Sequence, residues 1–197
     1  MSAAAPAAPQ NQAGIVIRPS TEQDVPAMLD IYTHHIRRGL GDVSLEAADP
    51  DDIRKRRKNM LGKRLPHLAA ECDGRIAGYA YAVPFRKRPA YRYTVKHSIY
   101  IHPDFLGIGI GRRLLAALME SCAASGYRQM IGYVDASNAP SIRLHESAGF
   151  REVGRLPAVG YKFGRWTDSI LMQIALGPGS SEPPVPLPPK KPAARNP

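Results

Sequence analysis

The chain has 197 residues, 44% hydrophobic and 22% charged, which suits one globular domain with its own core and excludes a wholly disordered chain. Lys and Arg outnumber Asp and Glu by 27 to 17, and the net charge of +10 points to an anionic ligand, either nucleic acid or a phosphate-rich small molecule. No stretch reaches the ~18 apolar residues of a membrane span, and the first residues lack the basic-then-apolar layout of a secretory signal.

Residues 1–13 are Ala/Pro/Gln-rich without periodicity and 177–197 are proline-rich, so both read as disordered tails around a single domain over 14–176. The run PPVPLPPKKP has a polyproline look but reads as a solvated tail. IVIRPS (15–20) is a short first strand. STEQDVPAMLDIYTHHIRRG follows as a helix, with acidic residues in its first turn and a stripe of Val25, Met28, Leu29, Ile31 and Tyr32. The cluster Arg54, Lys55, Arg56, Arg57 and Lys58 has little aromatic interleaving and reads as a solvated helix face, making nucleic acid an unlikely partner on residue type alone. HLAAECDGRIAGYAYAVPF predicts a hairpin about Asp73-Gly74, because glycine accepts positive φ at no steric cost. YRYTVKHSIYIHP is a long β-rich run stopped by Pro103. A helix with apolar residues at 110, 114, 115, 118, 119 and 122 ends at Gly126, and RQMIGYVDA is the next strand. NAPSIRLHESAGF is a short helix with Asn138 as N-cap and Gly149 as its stop, and two strands close the domain. The fold class is therefore α/β, a mixed, largely antiparallel sheet flanked by helices. Cys72 and Cys122 read as free core thiols of a reducing, cytoplasmic protein.

Where that β-rich run gives way to the following helix lies HPDFLGIGIGRRLL (102–115), with glycines at 107, 109 and 111. The spacing is neither G-x-x-x-x-G-K-[ST] nor G-x-G-x-x-G, so a P-loop and a dinucleotide fingerprint are both excluded. The physical logic survives. Backbone N–H groups at a helix start, uncovered by Cβ atoms, cradle an anion, and Arg112 and Arg113 add charge beside them. A tight turn needing glycine for sterics alone is the competing reading.

The segments SIYIHPDFLGIGIGRRLL and NAPSIRLHESAGF resemble the GNAT superfamily of acyl-CoA N-acyltransferases. With PFRKRPAYRYTVKHSIYIHP, SIRLHESAGF and GYKFGRWTD, the chain is similar over about 15–176 to the phosphinothricin/methionine-sulfoximine acetyltransferase group. The resemblance implies acetyl-CoA as donor; His34, His35, His67, His97 and His102 show no metal-ligand spacing, so no metal is expected. Gly107, Ile108, Gly109, Ile110, Gly111 and Arg112 would wrap the pyrophosphate, and Ile99, Tyr100 and Ile101 would lie on a strand splayed from its neighbour to meet pantetheine. Asn138 would touch the cofactor near its thiol. An Arg or Gln usual in the family is Leu106 here, which predicts weaker cofactor binding rather than lost binding. A homodimer is also implied by the resemblance.

Direct N-acetylation needs a neutral amine near the thioester, an oxyanion site and a proton for the thiolate, and no covalent enzyme intermediate. His145 stands where most of the superfamily has a tyrosine that protonates the thiolate, and imidazole titrates near neutrality. Ser141, four residues earlier, could mimic a Ser–His pair, but nothing resembles a nucleophile elbow. The group's usual glutamate base is Lys96 here. Lys96 points elsewhere, or acts as base with a pKa lowered by burial, or binds a substrate carboxylate; the sequence leaves all three open. Arg88, Tyr91 and Tyr93, with the loop 40–47, would meet the acceptor. That loop is acidic and lacks the group's Thr/Phe pattern, so the acceptor's identity is open. The leading expectation is an acetyltransferase for the primary amine of a small amino-acid-like compound. The alternatives are a protein or polyamine acceptor, or a non-catalytic acyl-CoA-binding or nucleic-acid-binding module.

Overall fold

In the computed structural model, which describes residues 14–37 and 49–185, alternating strands and helices follow the expected order. β1 (Ile15–Pro19) leads to α1 (Val25–Arg37), whose buried stripe is Val25, Met28, Ile31, Tyr32 and Ile36, a 3.6-residue repeat facing the sheet. Asp24 closes the preceding turn by accepting from Thr21 and from both ends of the Arg18 guanidinium at 2.8 and 2.9 Å. α2 (Pro50–Gly62) starts at Asp49, whose side chain accepts from the Asp51 amide, with Pro50 in the first turn where its missing N–H costs nothing.

β2 (His67–Cys72) and β3 (Arg75–Pro84) form the hairpin about Asp73 and Gly74, both at positive φ (49° and 77°) as a two-residue loop demands. β4 (Thr94–Ile101) is shorter than the β-rich run that predicted it. Pro89 fixes a single helical turn over Pro89–Tyr91, so Tyr91 to Tyr93 precede the strand. α3 (Ile110–Ala124), β5 (Gln129–Asp135), α4 (Ala139–Ser147), β6 (Arg151–Lys162) and β7 (Arg165–Ala175) complete the chain. Residues 177–185, assigned from composition to a tail, form turns against the domain, with the Pro183 carbonyl accepting from Arg128. The expected tails at 1–13 and 186–197 lie outside the described residues, as does the loop 40–47.

The seven strands are ordered β1-β2-β3-β4-β5-β7-β6, and each neighbouring pair is antiparallel except β4 with β5. That exception shapes the molecule. The parallel ladder holds only Thr94–Lys96 against Gln129–Ile131, after which β4 runs on toward Ile101 while β5 continues alongside β7. The core is continuous, from Val25 and Met28 through Val95 and Met130 to Leu114, Leu118 and Met172. Cys72 and Cys122 are buried and free. Among the described residues no helix is long and apolar enough to cross a membrane.

Candidate active site

The divergence of β4 from β5 opens a cleft of about 1330 Å³ through the middle of the sheet. At one end stands the glycine loop. Gly107 and Gly109 have φ of +80° and +89°, and a Cβ built on either meets nothing within 4 Å. Glycine is thus required for backbone conformation, and the space over the loop is open. Gly109 is the N-cap of α3, so the next amides have no intrahelical acceptor and face the cleft with the positive end of the helix dipole. Gly111 has another reason: a Cβ there would lie 3.3 Å from Leu144, so its absence lets α3 approach α4. Arg112 and the exposed Leu106 line this end. Arg113 also lines this end, and one of its nitrogens donates to the Ile15 carbonyl at 2.9 Å, which ties α3 to β1.

Ile99, Tyr100 and Ile101 line the cleft from the diverging part of β4, although the Ile101 carbonyl is already engaged by His35 of α1 at 2.8 Å. Asn138 stands on the opposite rim. Its side-chain oxygen caps α4 through the Ser141 amide at 3.1 Å.

Beneath the point of divergence two histidines meet. His145 Nδ1 lies 2.7 Å from the Ser141 carbonyl, which can only accept, so Nδ1 carries the proton. Its Nε2 is then a lone pair, 3.2 Å from His97 Nε2, and His97 must donate. Among the described residues His97 Nδ1 is left buried without a partner. The rings stack at 5.0 Å between centroids, with Phe150 edge-on to His145. Gly132 makes room for both, since a Cβ there would sit 3.0 Å from each Nε2. Burial, and secondarily the neighbouring His145, push the His97 pKa down to about 3; burial also lowers that of His145, against the raising effect of the Ser141 carbonyl. Both rings are neutral near pH 7. Ser141 contributes its carbonyl rather than its hydroxyl to His145, so the spacing that mimics a Ser–His pair does not make one.

The other end of the cleft is cationic. Lys96, paired in register with Val83, places its ammonium 5.4 Å from the Tyr133 ring centre, and among the described residues no carboxylate pairs with it. Asp135 also lines the cleft, but it is spent on Lys162 at 2.8 Å and on Ser137. Burial raises its pKa, yet the hydrogen bonds from Lys162 and Ser137 outweigh that and leave it below the ordinary carboxylate value. Arg56 reaches this end from α2. The helix places Ile53, Arg56, Arg57 and Met60 on its inner side, at the spacing of a buried stripe, so two members of the basic cluster are not a solvated face. A bulge in β6, with Ala158 at φ 47° and its amide held by Asp168, turns Leu156 and Val159 toward the cleft.

Three expected acceptor residues are elsewhere. Arg88 and Tyr91 belong to the exposed turn after β3, where Tyr91 packs edge-on against Phe85. Tyr93 gives its carbonyl to the Arg128 amide, and Arg92 covers its ring. None lines the cleft of this chain, because Pro89 turns the backbone before β4 begins.

The profile of the acetyltransferase (GNAT) family matches residues 25–150. The chain belongs to the GNAT acetyltransferase family. It is 45% identical over 168 residues to phosphinothricin N-acetyltransferase of Alcaligenes faecalis, covering 84% of each chain. It is 36% identical to the L-methionine sulfoximine/L-methionine sulfone acetyltransferase of Salmonella typhimurium, covering 82% of this chain and 95% of the relative. In structure it is similar to a GNAT superfamily phosphinothricin acetyltransferase from Sinorhizobium meliloti solved in complex with AcCoA. The TM-score is 0.84 at 35% identity, over 87% of this chain and 94% of that one. The GNAT resemblance seen in the motifs, and the mixed, largely antiparallel fold expected from the order of elements, both hold.

Reading the sequence missed His97, Arg56 and the Asp135–Lys162 pair. Only Arg56 left a signal: from Ile53 it falls at i+3, ahead of Arg57 at i+4 and Met60 at i+7.

Proposed function

We propose that this protein transfers the acetyl group of acetyl-CoA directly to the primary amine of a small amino-acid-like acceptor of the phosphinothricin or methionine sulfoximine type. The observation that carries this reading is the cleft between diverging β4 and β5, with open helix-start amides at one end and, at the other, cations that pair with no carboxylate among the described residues. The amides from Gly107 to Arg112 take the pyrophosphate, the Ile99–Ile101 backbone lies along pantetheine, and Asn138 stands near the thiol. The amine nitrogen attacks the thioester carbonyl carbon, the C–S bond breaks, and the thiolate takes up a proton as the amine loses one. That exchange is assigned to the His145–His97 pair, which holds one proton between facing Nε2 atoms.

Lys96 fits the reading in which a cation replaces the base. A positive charge ~6 Å from an amine, at an effective dielectric of ~20, lowers the amine pKa by about 2 units and so favours the neutral nucleophile. The placement of Arg88, Tyr91 and Tyr93 leaves them as acceptor contacts only if they act across a subunit boundary. We assign the chain to a homodimer on the apolar surface at the tip of the β6–β7 hairpin, where Tyr161, Phe163 and Trp166 are all more than half exposed. The free, buried thiols Cys72 and Cys122, the latter pushed up to about 12 by burial, suit a cytoplasmic location.

The experiment is thiol release from acetyl-CoA with L-methionine sulfone, phosphinothricin, spermidine and an alanine-initiated peptide. We expect kcat/KM at least ~10-fold higher on the two amino-acid compounds, a discrimination of about 1.4 kcal/mol. A preference for the peptide or the polyamine overturns the acceptor class.

A further inference from the structure

Resting on that reading of the acceptor, we infer that Arg56 is the residue that binds the acceptor's carboxylate and thereby sets its specificity. The guanidinium lies 5.5 Å from the Tyr32 ring centre and 5.9 Å from that of Tyr81, and donates to the Tyr81 hydroxyl at 3.0 Å. Two aromatic walls and their hydroxyls therefore fix its plane at the edge of the cleft.

The arginines beside it, Arg54 and Arg57 on α2 and Arg18 on β1, pair with carboxylates. Arg54 pairs with Glu22 and Asp51, Arg57 with Glu22, and Arg18 with Asp24 and Glu71. Arg56 is half-buried, yet among the described residues no carboxylate pairs with it. A cation withdrawn from water and left unpaired is costly unless an anion completes it. Among the described residues its hydrogen bonds go to the Tyr81 and Tyr32 hydroxyls, and its other N–H groups are left for a ligand, in the fork that matches a carboxylate.

The sheet register puts this fork beside the reaction. Tyr81 pairs with Ser98 and Val83 with Lys96, so the side chains that carry Arg56 and Lys96 occupy one face of neighbouring strands. An α-amino acid has its carboxylate one carbon from its amine. Binding that carboxylate at Arg56 holds the amine on the Lys96 side, toward the divergence of β4 and β5. A polyamine has no group for this site and meets two cations instead.

The test compares L-methionine sulfone with its carboxamide, and with phosphinothricin, on the wild-type chain and on Arg56→Gln and Arg56→Lys. Wild-type turnover of L-methionine sulfone is read first; its absence overturns the reading of function. In that case, acceptor binding by NMR in the presence of CoA judges Arg56 independently. Losing a charged, two-point hydrogen bond is expected to raise the acceptor KM or Kd of Arg56→Gln by roughly 10- to 100-fold. The KM for acetyl-CoA stays unchanged, Arg56→Lys falls between, and the carboxamide, already poor with wild type, loses nothing further. Equal losses on acid and carboxamide overturn the assignment. So does a loss confined to acetyl-CoA, or one seen with phosphinothricin alone, which would place its phosphinate rather than the carboxylate at Arg56. Circular dichroism of both variants separates these outcomes from misfolding, and Arg56→Lys keeps the comparison open if Arg56→Gln does not fold.

Discussion

Lowering the pH from 7 to 5 is expected to remove a large part of the stability of this fold, and the loss belongs to buried histidines. His97 and His67 are 8% and 2% exposed, with pKa values pushed down to about 3 and about 4 from 6.5. For His67 the causes are burial first, then the cations of Arg57 and Arg56, against the raising effect of Asp24. Arg57 donates to the Ser20 hydroxyl, which stands 2.9 Å from His67 Nδ1, so the ring is held neutral inside a bonded chain. Because the folded values are depressed, the unfolded chain takes up protons first, and stability falls as pH drops through 6.5 toward the folded values. At pH 5 the cost is set by the 1.5 units below 6.5, about 2 kcal/mol for each histidine and about 4 kcal/mol for the two. Further depth in the folded pKa changes nothing at that pH, and His145 adds in the same direction. Asp24 and Asp135, both held below 3.8, act only at lower pH. The assay is urea unfolding followed by circular dichroism at pH 7, 6 and 5. His67→Gln and His97→Gln should each halve the pH-dependent loss, whatever they do to absolute stability. Equal stability of the wild type at pH 7 and pH 5, or variants that keep the full loss, would refute the reasoning.

Three further outcomes are expected. Gly109→Ala asks a residue with a Cβ to sit at φ +89° and puts a methyl group into the open cradle; acetyl-CoA KM should rise roughly 10-fold with acceptor KM unmoved, as initial rates will show. Gly132→Ala drives a Cβ to 3.0 Å from both Nε2 atoms, so overpacking should cost about 1–3 kcal/mol in urea and kcat should fall more than either KM. With Lys96→Glu a base enters where a cation stood: turnover of phosphinothricin and L-methionine sulfone at neutral pH should rise roughly 10-fold. The cation that lowers the amine pKa is then replaced by an anion, so the acid limb of kcat/KM should move up by a unit or more, and an unmoved limb speaks against Lys96 facing the acceptor amine.

What the sequence disclosed and what it hid follow from the range of the forces involved. The glycine loop, the Asp73-Gly74 turn and the Asn138 cap depend on backbone conformation over a few residues, and each is found where composition placed it. The element order was legible for the same reason. The His97–His145 pair joins residues 48 apart through a parallel ladder that stops after Lys96, and no local pattern announces where a ladder stops. Arg56 and Arg57 are hidden in the sequence because a run of five basic residues has the composition of a solvated face, while the Ile53–Met60 stripe to which they belong is only two apolar residues long. Arg88, Tyr91 and Tyr93 were expected at the acceptor, and one proline decides otherwise for this chain: the turn at Pro89 carries them away from the cleft.

The central claim is direct transfer from a donor held at the glycine loop to an acceptor amine, with no acetyl group passing through the protein. Its most direct measurement is mass spectrometry of the intact chain and of the small molecules, after incubation with acetyl-CoA labelled in the acetyl carbonyl, with and without L-methionine sulfone. The account predicts an unmodified chain in both cases and, with acceptor present, one labelled N-acetyl product for each CoA released. An acetylated chain that loses its label when the acceptor is added would contradict it.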